Sequence, residues 1–231
     1  PTPNAQYRLP KVQRPMPNAQ GEEELVAALE RVRARGIETE TVQVGSAPLI
    51  GRVAERAGTR HRVIRRQLAP ELASLNAAGA LNGHVPITAI NAATLVIAAL
   101  IWNFDAVVFA NERSADAPTL TTPDGRPVNH QFAKSHAFEQ LLGDWIARYI
   151  ADDLAVFSLL RRDSELAICR EFAELTAYHD VFSSCNRNFH LDGPRTARWC
   201  GQCPKCRFVF LGLAPFMDVQ RLEAIFGRDL L

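Results

Sequence analysis

The sequence predicts an α/β fold: an open parallel sheet flanked by helices, followed by a C-terminal helical region built on a metal site. Three observations carry this. Strand-like runs alternate with helical periodicity along the first two thirds of the chain, the pattern of a doubly wound sheet. Asp105-Ala-Val-Val-Phe-Ala110 is an apolar run of the kind buried on both faces of a parallel sheet. Four of the five cysteines lie between Cys185 and Cys206, three of them spaced C-x2-C-x2-C.

Residues 1–20 carry prolines at 1, 3, 10, 15 and 17 and the tetrapeptide Pro-Asn-Ala-Gln at 3–6 and 17–20, and are expected to be irregular. The chain opens on Pro1, as expected of a fragment or a processed product. Leu25, Ala28, Leu29 and Val32 share one helical face that ends at Gly36, and Glu22, Glu23 and Glu24 occupy the first turn, where carboxylates complement the positive helix end. Thr41–Val44 reads as a strand, Ser46 as the cap of a helix with Pro48 in its first turn, and His61–Arg65 as a second strand. Pro70 opens a helix through Leu75. A loop containing His84 then leads into an apolar helix over 87–102, interrupted by Thr88, Asn91 and Thr94 and so read as buried rather than membrane-spanning.

The strand 105–110 delivers Asn111-Glu112-Arg113-Ser114 at its carboxyl end, where open α/β sheets place ligand contacts. A turn at Pro123-Asp-Gly125 and the segment Asn129–His136 precede a long amphipathic helix expected to bury Phe138, Leu141, Leu142, Trp145, Ile146 and Tyr149. Ala155–Leu160 reads as a further strand, Ser164–Leu175 as a helix with Cys169 a buried free thiol, and Phe208–Phe226 as one or two helices. The expected organisation is an irregular segment 1–20, an α/β domain 21–160 and a helical metal-binding region 161–231.

Zinc takes four thiolate or imidazole ligands in a tetrahedron, and two-residue spacers turn neighbouring sulfurs onto one ion. Cys200, Cys203 and Cys206 supply three ligands and Cys185 the natural fourth, with His190 a weaker candidate and an iron–sulfur cluster the alternative. Four cysteine ligands leave no open position, so the site reads as structural. Asn111, Glu112, Arg113 and Ser114 are the most pointed polar group. Asn129, His130, Lys134 and Ser135 precede a helix, where side chains and amides can converge on an anion. His84 is a lone loop histidine, and Arg62, Arg65 and Arg66 lack the aromatic interleaving of a single-stranded nucleic-acid site.

With 47% hydrophobic and 22% charged residues and a net charge of +1, the chain has no field to gather nucleic acid or membrane. Clustered metal-type cysteines and the lack of a signal peptide suit the cytoplasm.

At Asn111–Ser114, Asn129–Ser135, Leu75–Thr88 and Cys185–Phe216, notably Trp199-Cys-Gly-Gln-Cys-Pro-Lys-Cys206, the sequence resembles the MurL family of UDP-N-acetylmuramoyl-L-alanyl-L-glutamate epimerases. The likeness runs from about Leu25 to Phe216, most of this chain but only the C-terminal part of a full epimerase. The cysteine pattern is also similar to that of 7-cyano-7-deazaguanine synthases. Both groups resemble the PP-loop ATP pyrophosphatases with an adenine-nucleotide α-hydrolase-like fold.

The resemblance implies that ATP, with magnesium, adenylates the α-carboxylate of the terminal L-Glu of UDP-MurNAc-L-Ala-L-Glu. The acyl-adenylate loses the charge that opposes α-proton removal, and reprotonation on the other face and hydrolysis yield D-Glu and AMP. His84, Glu112 and His130 are then the candidates for proton transfer, and Asn111, Arg113, Ser114, Asn129, Lys134 and Ser135 for substrate or nucleotide contacts. The implied partner is the UDP-linked muramoyl dipeptide, without nucleic acid or membrane.

One departure stands out. Where PP-loop enzymes carry a glycine-rich S-G-G-x-D-S-like motif after a first strand, this chain has Pro17-Asn-Ala-Gln-Gly-Glu-Glu-Glu24, with no recognisable strand before it. Three glutamates there would repel a polyphosphate. The family's N-terminal domain is also expected to be missing. Two alternatives follow: another PP-loop enzyme acting on a deazapurine or a tRNA base, or a zinc-stabilised α/β binding domain without turnover.

Overall fold

A computed structural model describes residues 12–13, 22–45, 47–80, 86–189 and 198–230. The chain is a mixed α/β protein. Its strands are β1 (Val12–Gln13), β2 (Glu40–Val44), β3 (Arg60–Ile64), β4 (Ala106–Phe109), β5 (Leu120–Thr121), β6 (Pro127–Val128) and β7 (Ala155–Ser158). Its helices are α1 (Glu22–Arg33), α2 (Pro48–Arg56), α3 (Glu71–Ala77), α4 (Ile87–Trp102), α5 (His136–Tyr149), α6 (Glu165–Glu174), α7 (Pro204–Leu213) and α8 (Val219–Phe226).

β1, β4 and β7 form a parallel sheet in that order, β2 and β3 a parallel pair, and β5 and β6 an antiparallel hairpin. β2 also lies beside β1. The order across the strands is therefore β3, β2, β1, β4, β7, and chain progression reverses between β1 and β4. Such a reversal opens a crevice beyond the strands' carboxyl ends. β4 is central and apolar because both its faces are covered: all four of its residues are buried, as expected of a two-sided parallel strand.

Several expectations are corrected. The N-terminal stretch contributes β1, so a strand does precede α1. The helix at Pro48 has Ala47 at its N-cap, with no side-chain cap; Ser46, His84 and His190 lie outside the described residues. The helix over 87–102 forms as expected, but only one side is buried. Ala92, Leu95, Val96 and Ala99 pack on the sheet, whereas Ile97 and Ile101 are 59% and 71% exposed. In α5, Ile146 is buried while Leu141, Trp145 and Tyr149 are exposed. Residues 138, 142 and 146 form one helical stripe, and 141, 145 and 149 the next. The apolar arc is wider than the surface the sheet offers, and periodicity alone does not say which stripe turns inward. No helix among the described residues is long and apolar enough to cross a membrane.

The largest core joins the first helix to the C-terminal region: Val26 and Leu29 of α1 pack with Phe172, Phe182, Trp199, Phe210 and Phe226. Arg31 of α1 reinforces the join by donating to Glu171 and, at 2.6 Å, to Asp163. α6, capped by Ser164, lies against α7 at Gly212, where an added Cβ would stand 2.8 Å from Cys169 Sγ. Gly212→Ala is therefore expected to destabilise the protein by about 1–3 kcal/mol, the usual range for overpacking. Urea unfolding should show the penalty largely relieved in the Gly212→Ala/Cys169→Ala double variant, which removes the clashing sulfur.

Candidate functional site

The four cysteines converge. Their sulfurs all lie within 4.8 Å of one another, with Cys203–Cys206 at 3.4 Å, Cys200–Cys206 at 3.8 Å and Cys185–Cys203 at 4.0 Å. A tetrahedron with metal–sulfur bonds near 2.3 Å has edges of about 3.8 Å, so these separations match four thiolates on one ion. The local fold explains the convergence. Cys203 precedes Pro204 at the start of α7, Cys206 follows one turn later, and Cys185 arrives on the segment after α6.

Cys200 sits in a tight turn in which the amides of Gln202 and Cys203 each approach its sulfur to 3.4 Å. Burial would raise the Cys200 thiol, but these amides and the neighbouring thiols bring it down to about 6. Gly201 makes the turn at φ +65°, a conformation that disfavours other residues, and a side chain there would strike the Arg228 guanidinium. Arg228 in turn donates to the Cys200 carbonyl at 3.0 Å. Phe182, Trp199 and Phe226 stack on one another in the same core that holds Cys185, Cys203 and Cys206.

α7 carries a second feature. Lys205, between two of the cysteines, reaches back to the amino end of α1, where Glu22, Glu23 and Glu24 are only 2%, 2% and 6% exposed. A run of acids opening a helix normally faces water; here the segment after α6 covers it. Ser183 N donates to Glu22 Oε2 at 2.6 Å, Glu22 N donates to Ser184 Oγ at 2.8 Å, and Ser184 Oγ donates to Glu23. Lys205 Nζ stands 3.5 Å from Glu23 Oε1. These partners, with the helix dipole, offset the cost of dehydrating carboxylates.

Beyond Glu23 opens a cavity of about 240 Å³ lined by Glu24, Glu112, Ser114, Ala115, Gln131, Lys134, Glu165, Lys205 and Phe208. It lies past the carboxyl end of β4. α1 packs on α6 and α6 on α7, and these helices contribute Glu24, Glu165, Lys205 and Phe208 to the lining; the turns at 113–116 and 132–134, also packed together, contribute Ser114, Ala115 and Lys134. Arg161 braces these turns. Its Nη2 donates to the Lys134 carbonyl at 2.9 Å, to Glu139 at 3.0 Å and to Ser158 at 3.2 Å.

The electrostatics are unusual. Burial pushes the Glu24 carboxyl up to about 8; Lys205 opposes this, while Glu23 and Glu112 add to it. Burial also lowers the Lys134 ammonium from its ordinary range, against the pull of Glu24. Glu165 is raised, by burial first and then by Glu112. Burial would lower Lys205, yet Glu23, Glu24 and Glu165 outweigh it and hold the ammonium charged.

Of the residues singled out from sequence, Glu112, Ser114 and Lys134 line this cavity. Asn111 and Ser135 line a neighbouring narrow gap of about 10 Å³, and Asn111 donates to Ser158 at 2.9 Å. Asn129 braces the turn, donating to the Ala115 carbonyl at 2.7 Å and accepting from Gln131 N at 2.8 Å. His130 is exposed on the β5–β6 side, its Nδ1 2.7 Å from Thr119 Oγ1, and the Arg113 side chain is exposed; neither lines the cavity. Sequence reasoning missed Glu24, Glu165, Lys205, Gln131 and Arg161. For Lys205 a signal existed: its place between two metal-type cysteines.

Fold and site together define an α/β protein with a cluster of four thiols able to hold a metal ion beside a buried carboxylate–lysine chamber. Residues 5–159 match the MurL N-terminal domain and residues 181–231 the MurL C-terminal domain. The chain belongs to the MurL family. It thus carries sequence matching both domains, where only a C-terminal part was expected.

Among relatives named UDP-N-acetyl-alpha-D-muramoyl-L-alanyl-L-glutamate epimerase, that of Xanthomonas oryzae pv. oryzae is 51% identical over 212 residues, 91% of this chain and 47% of that protein. That of Salinispora tropica is 43% identical over 218 residues, 94% of this chain and 47% of that protein. The chain spans about half the length of these curated relatives.

Two predictions follow from the geometry. Cobalt(II) is expected to bind one ion per chain with thiolate charge-transfer absorption, and Cys203→Ala to lose both the spectrum and thermal stability; a titration without those bands would refute a shared site. The second concerns Glu24. The folded protein keeps this proton up to about 8, whereas an unfolded glutamate releases it near 4.5, so the Glu24 contribution is complete below 4.5 and is lost as pH rises through about 8. The melting temperature of Glu24→Gln should accordingly fall less than that of wild type between about pH 5 and pH 8.5. Equal slopes would assign the dependence to other groups.

Proposed function

We propose that this chain carries the proton-handling chamber of an ATP-dependent epimerase that inverts the terminal L-glutamate of UDP-MurNAc-L-Ala-L-Glu, as the names of its relatives indicate. The observation that carries the reading is the juxtaposition of a buried carboxyl raised to about 8 with a buried lysine lowered by desolvation, in one cavity beyond β4. Inversion at an α-carbon needs one group to accept a proton and another to give one, each poised near neutrality. Perturbed carboxyl and amino groups converging in a cleft supply that.

The strand order, reversing between β1 and β4, supports a PP-loop-like sheet with the nucleotide in the crevice at the reversal. ATP would supply the activation, converting the α-carboxylate to an acyl-adenylate with release of pyrophosphate. Three carboxylates line the chamber, so it suits the activated glutamyl end rather than the phosphates. Among the described residues, the cysteines are the group of three or more ligand side chains that converges on one point; the chamber carboxylates do not, and no step is assigned to magnesium through them. Zinc suits the four thiols and would hold the segment around Cys185, the turn at Cys200 and the start of α7 together. A UDP-linked precursor as substrate would suit a cytoplasmic enzyme of peptidoglycan synthesis.

The test is to incubate the zinc-loaded chain with UDP-MurNAc-L-Ala-L-Glu, ATP and magnesium, following AMP and D-Glu, with calorimetry for binding. D-Glu is expected to appear with AMP. A folded, zinc-loaded sample that binds neither nucleotide nor dipeptide would overturn the proposal.

A further inference from the structure

Of the charged groups lining the chamber, Glu112 accepts the Ser114 amide, Lys205 pairs with Glu23, and Glu165 is only half-buried. Glu24 and Lys134 are different. Each is only 6% exposed and faces the cavity, and among the described residues neither side chain has a hydrogen bond or an ion pair. Their ends open onto the cavity, where Glu24 and Lys134 interact only through charge, with each other and with Lys205 and Glu112, and so are free to meet a ligand.

Both are fixed in place. Glu24 is held in the first turn of α1, whose neighbours Glu22 and Glu23 are tied to Ser183 and Ser184. The Lys134 main chain is clamped by Arg161. They also come from different elements, Glu24 from α1 and Lys134 from the turn 132–134.

We infer that Glu24 and Lys134 are the catalytic acid and base that move the α-proton, acting on opposite faces of the glutamyl carbon. This rests on the epimerase reading above. The chamber, about 240 Å³, is smaller than the roughly 300–1,000 Å³ of drug-sized ligand sites, so it takes the glutamyl end and leaves the UDP-sugar outside. The lone pair on Lys134 Nζ takes the Cα proton, and the C–H electron pair passes into the enolate of the adenylated carboxyl. The Glu24 O–H bond breaks, its proton goes to the other face of Cα, and its electron pair stays on the carboxylate. Lys134 is then an ammonium and Glu24 a carboxylate, and exchange with solvent resets both.

The groups facing the pair are consistent with this state. Burial, with Glu23 and Glu112, favours the protonated form of Glu24 against the opposing pull of Lys205 and Lys134. Lys205 favours the neutral form of Lys134, while Glu24 and Glu112 limit that shift.

The experiment uses the full zinc-loaded chain with substrate, ATP and magnesium in deuterated water, with circular dichroism and zinc content checking each variant. Wild type is expected to give D-epimer carrying deuterium at Cα. Glu24→Gln and Lys134→Met should each lose epimerisation by about 100-fold or more, the usual span for general acid–base groups, while still forming AMP from the L-epimer. Glu24→Gln should let recovered L-epimer gain deuterium without inversion, because Lys134 remains; Lys134→Met should not. Glu24→Asp, which keeps the carboxyl and shortens its reach, should follow Glu24→Gln.

Epimerisation within a few-fold of wild type in either single variant overturns the assignment, as does joint loss of AMP formation, which would mark a binding role. Wild type forming neither AMP nor D-Glu would defeat the epimerase reading itself. In that event, unchanged dipeptide affinity in both variants would also remove the pair from any ligand site.

Discussion

The rest of the structure depends on the burial of the amino end of α1 beneath the segment 183–184 and Lys205. Three consecutive carboxylates are taken out of water there, which is tolerable only while each has compensation. Glu22 and Glu23 find it in Ser183, Ser184 and Lys205, and the helix dipole favours all three. Glu24, next in line, is left facing the chamber. The position of the Glu24 carboxyl is therefore set by the satisfaction of its two neighbours.

That arrangement ties the four-thiol cluster to the chamber. Lys205 lies between Cys203 and Cys206, so the geometry that brings four sulfurs within 4.8 Å of one another also aims an ammonium at Glu23. A metal held by these thiols would fix α7 against the segment around Cys185, the same stretch that supplies Ser183 and Ser184. The thiol cluster and the charge at the cavity thus share one helix. Second-sphere coupling of this kind is common around metal centres. The aromatic packing of Phe172, Phe182, Trp199 and Phe226 supplies the rigidity that the coupling needs.

Much of this was legible in the sequence, and what was not has physical reasons. β4 showed itself because a two-sided strand must be apolar throughout, and the cysteine spacing showed itself because two-residue spacers have little other use. Glu24 did not, because three acids opening a helix are ordinary on a surface and only tertiary cover makes them exceptional. Lys134, read from sequence as an anion contact, lines the chamber, but its burial there was not legible from its place before a helix. β1 escaped notice because a two-residue strand has no periodicity to detect. The outward stripe of α5, with Leu141, Trp145 and Tyr149, was taken for core because an apolar arc does not reveal how much of it the sheet covers.

The chamber's charge balance bears on the order of chemical events under the proposed reading. Glu112 and Glu165 face the cavity together with Glu24. A substrate entering with its α-carboxylate free would add another negative charge to this low-dielectric space, where like charges repel strongly. An acyl-adenylate has no charge on that carboxyl group, and the enolate formed from it would lie within the field of Lys205 and of the newly protonated Lys134. The same carboxylates that disfavour the unactivated acid keep the Glu24 proton in place until the carbanion appears. Selectivity for the activated substrate and the readiness of the acid are then two consequences of one cluster of charges.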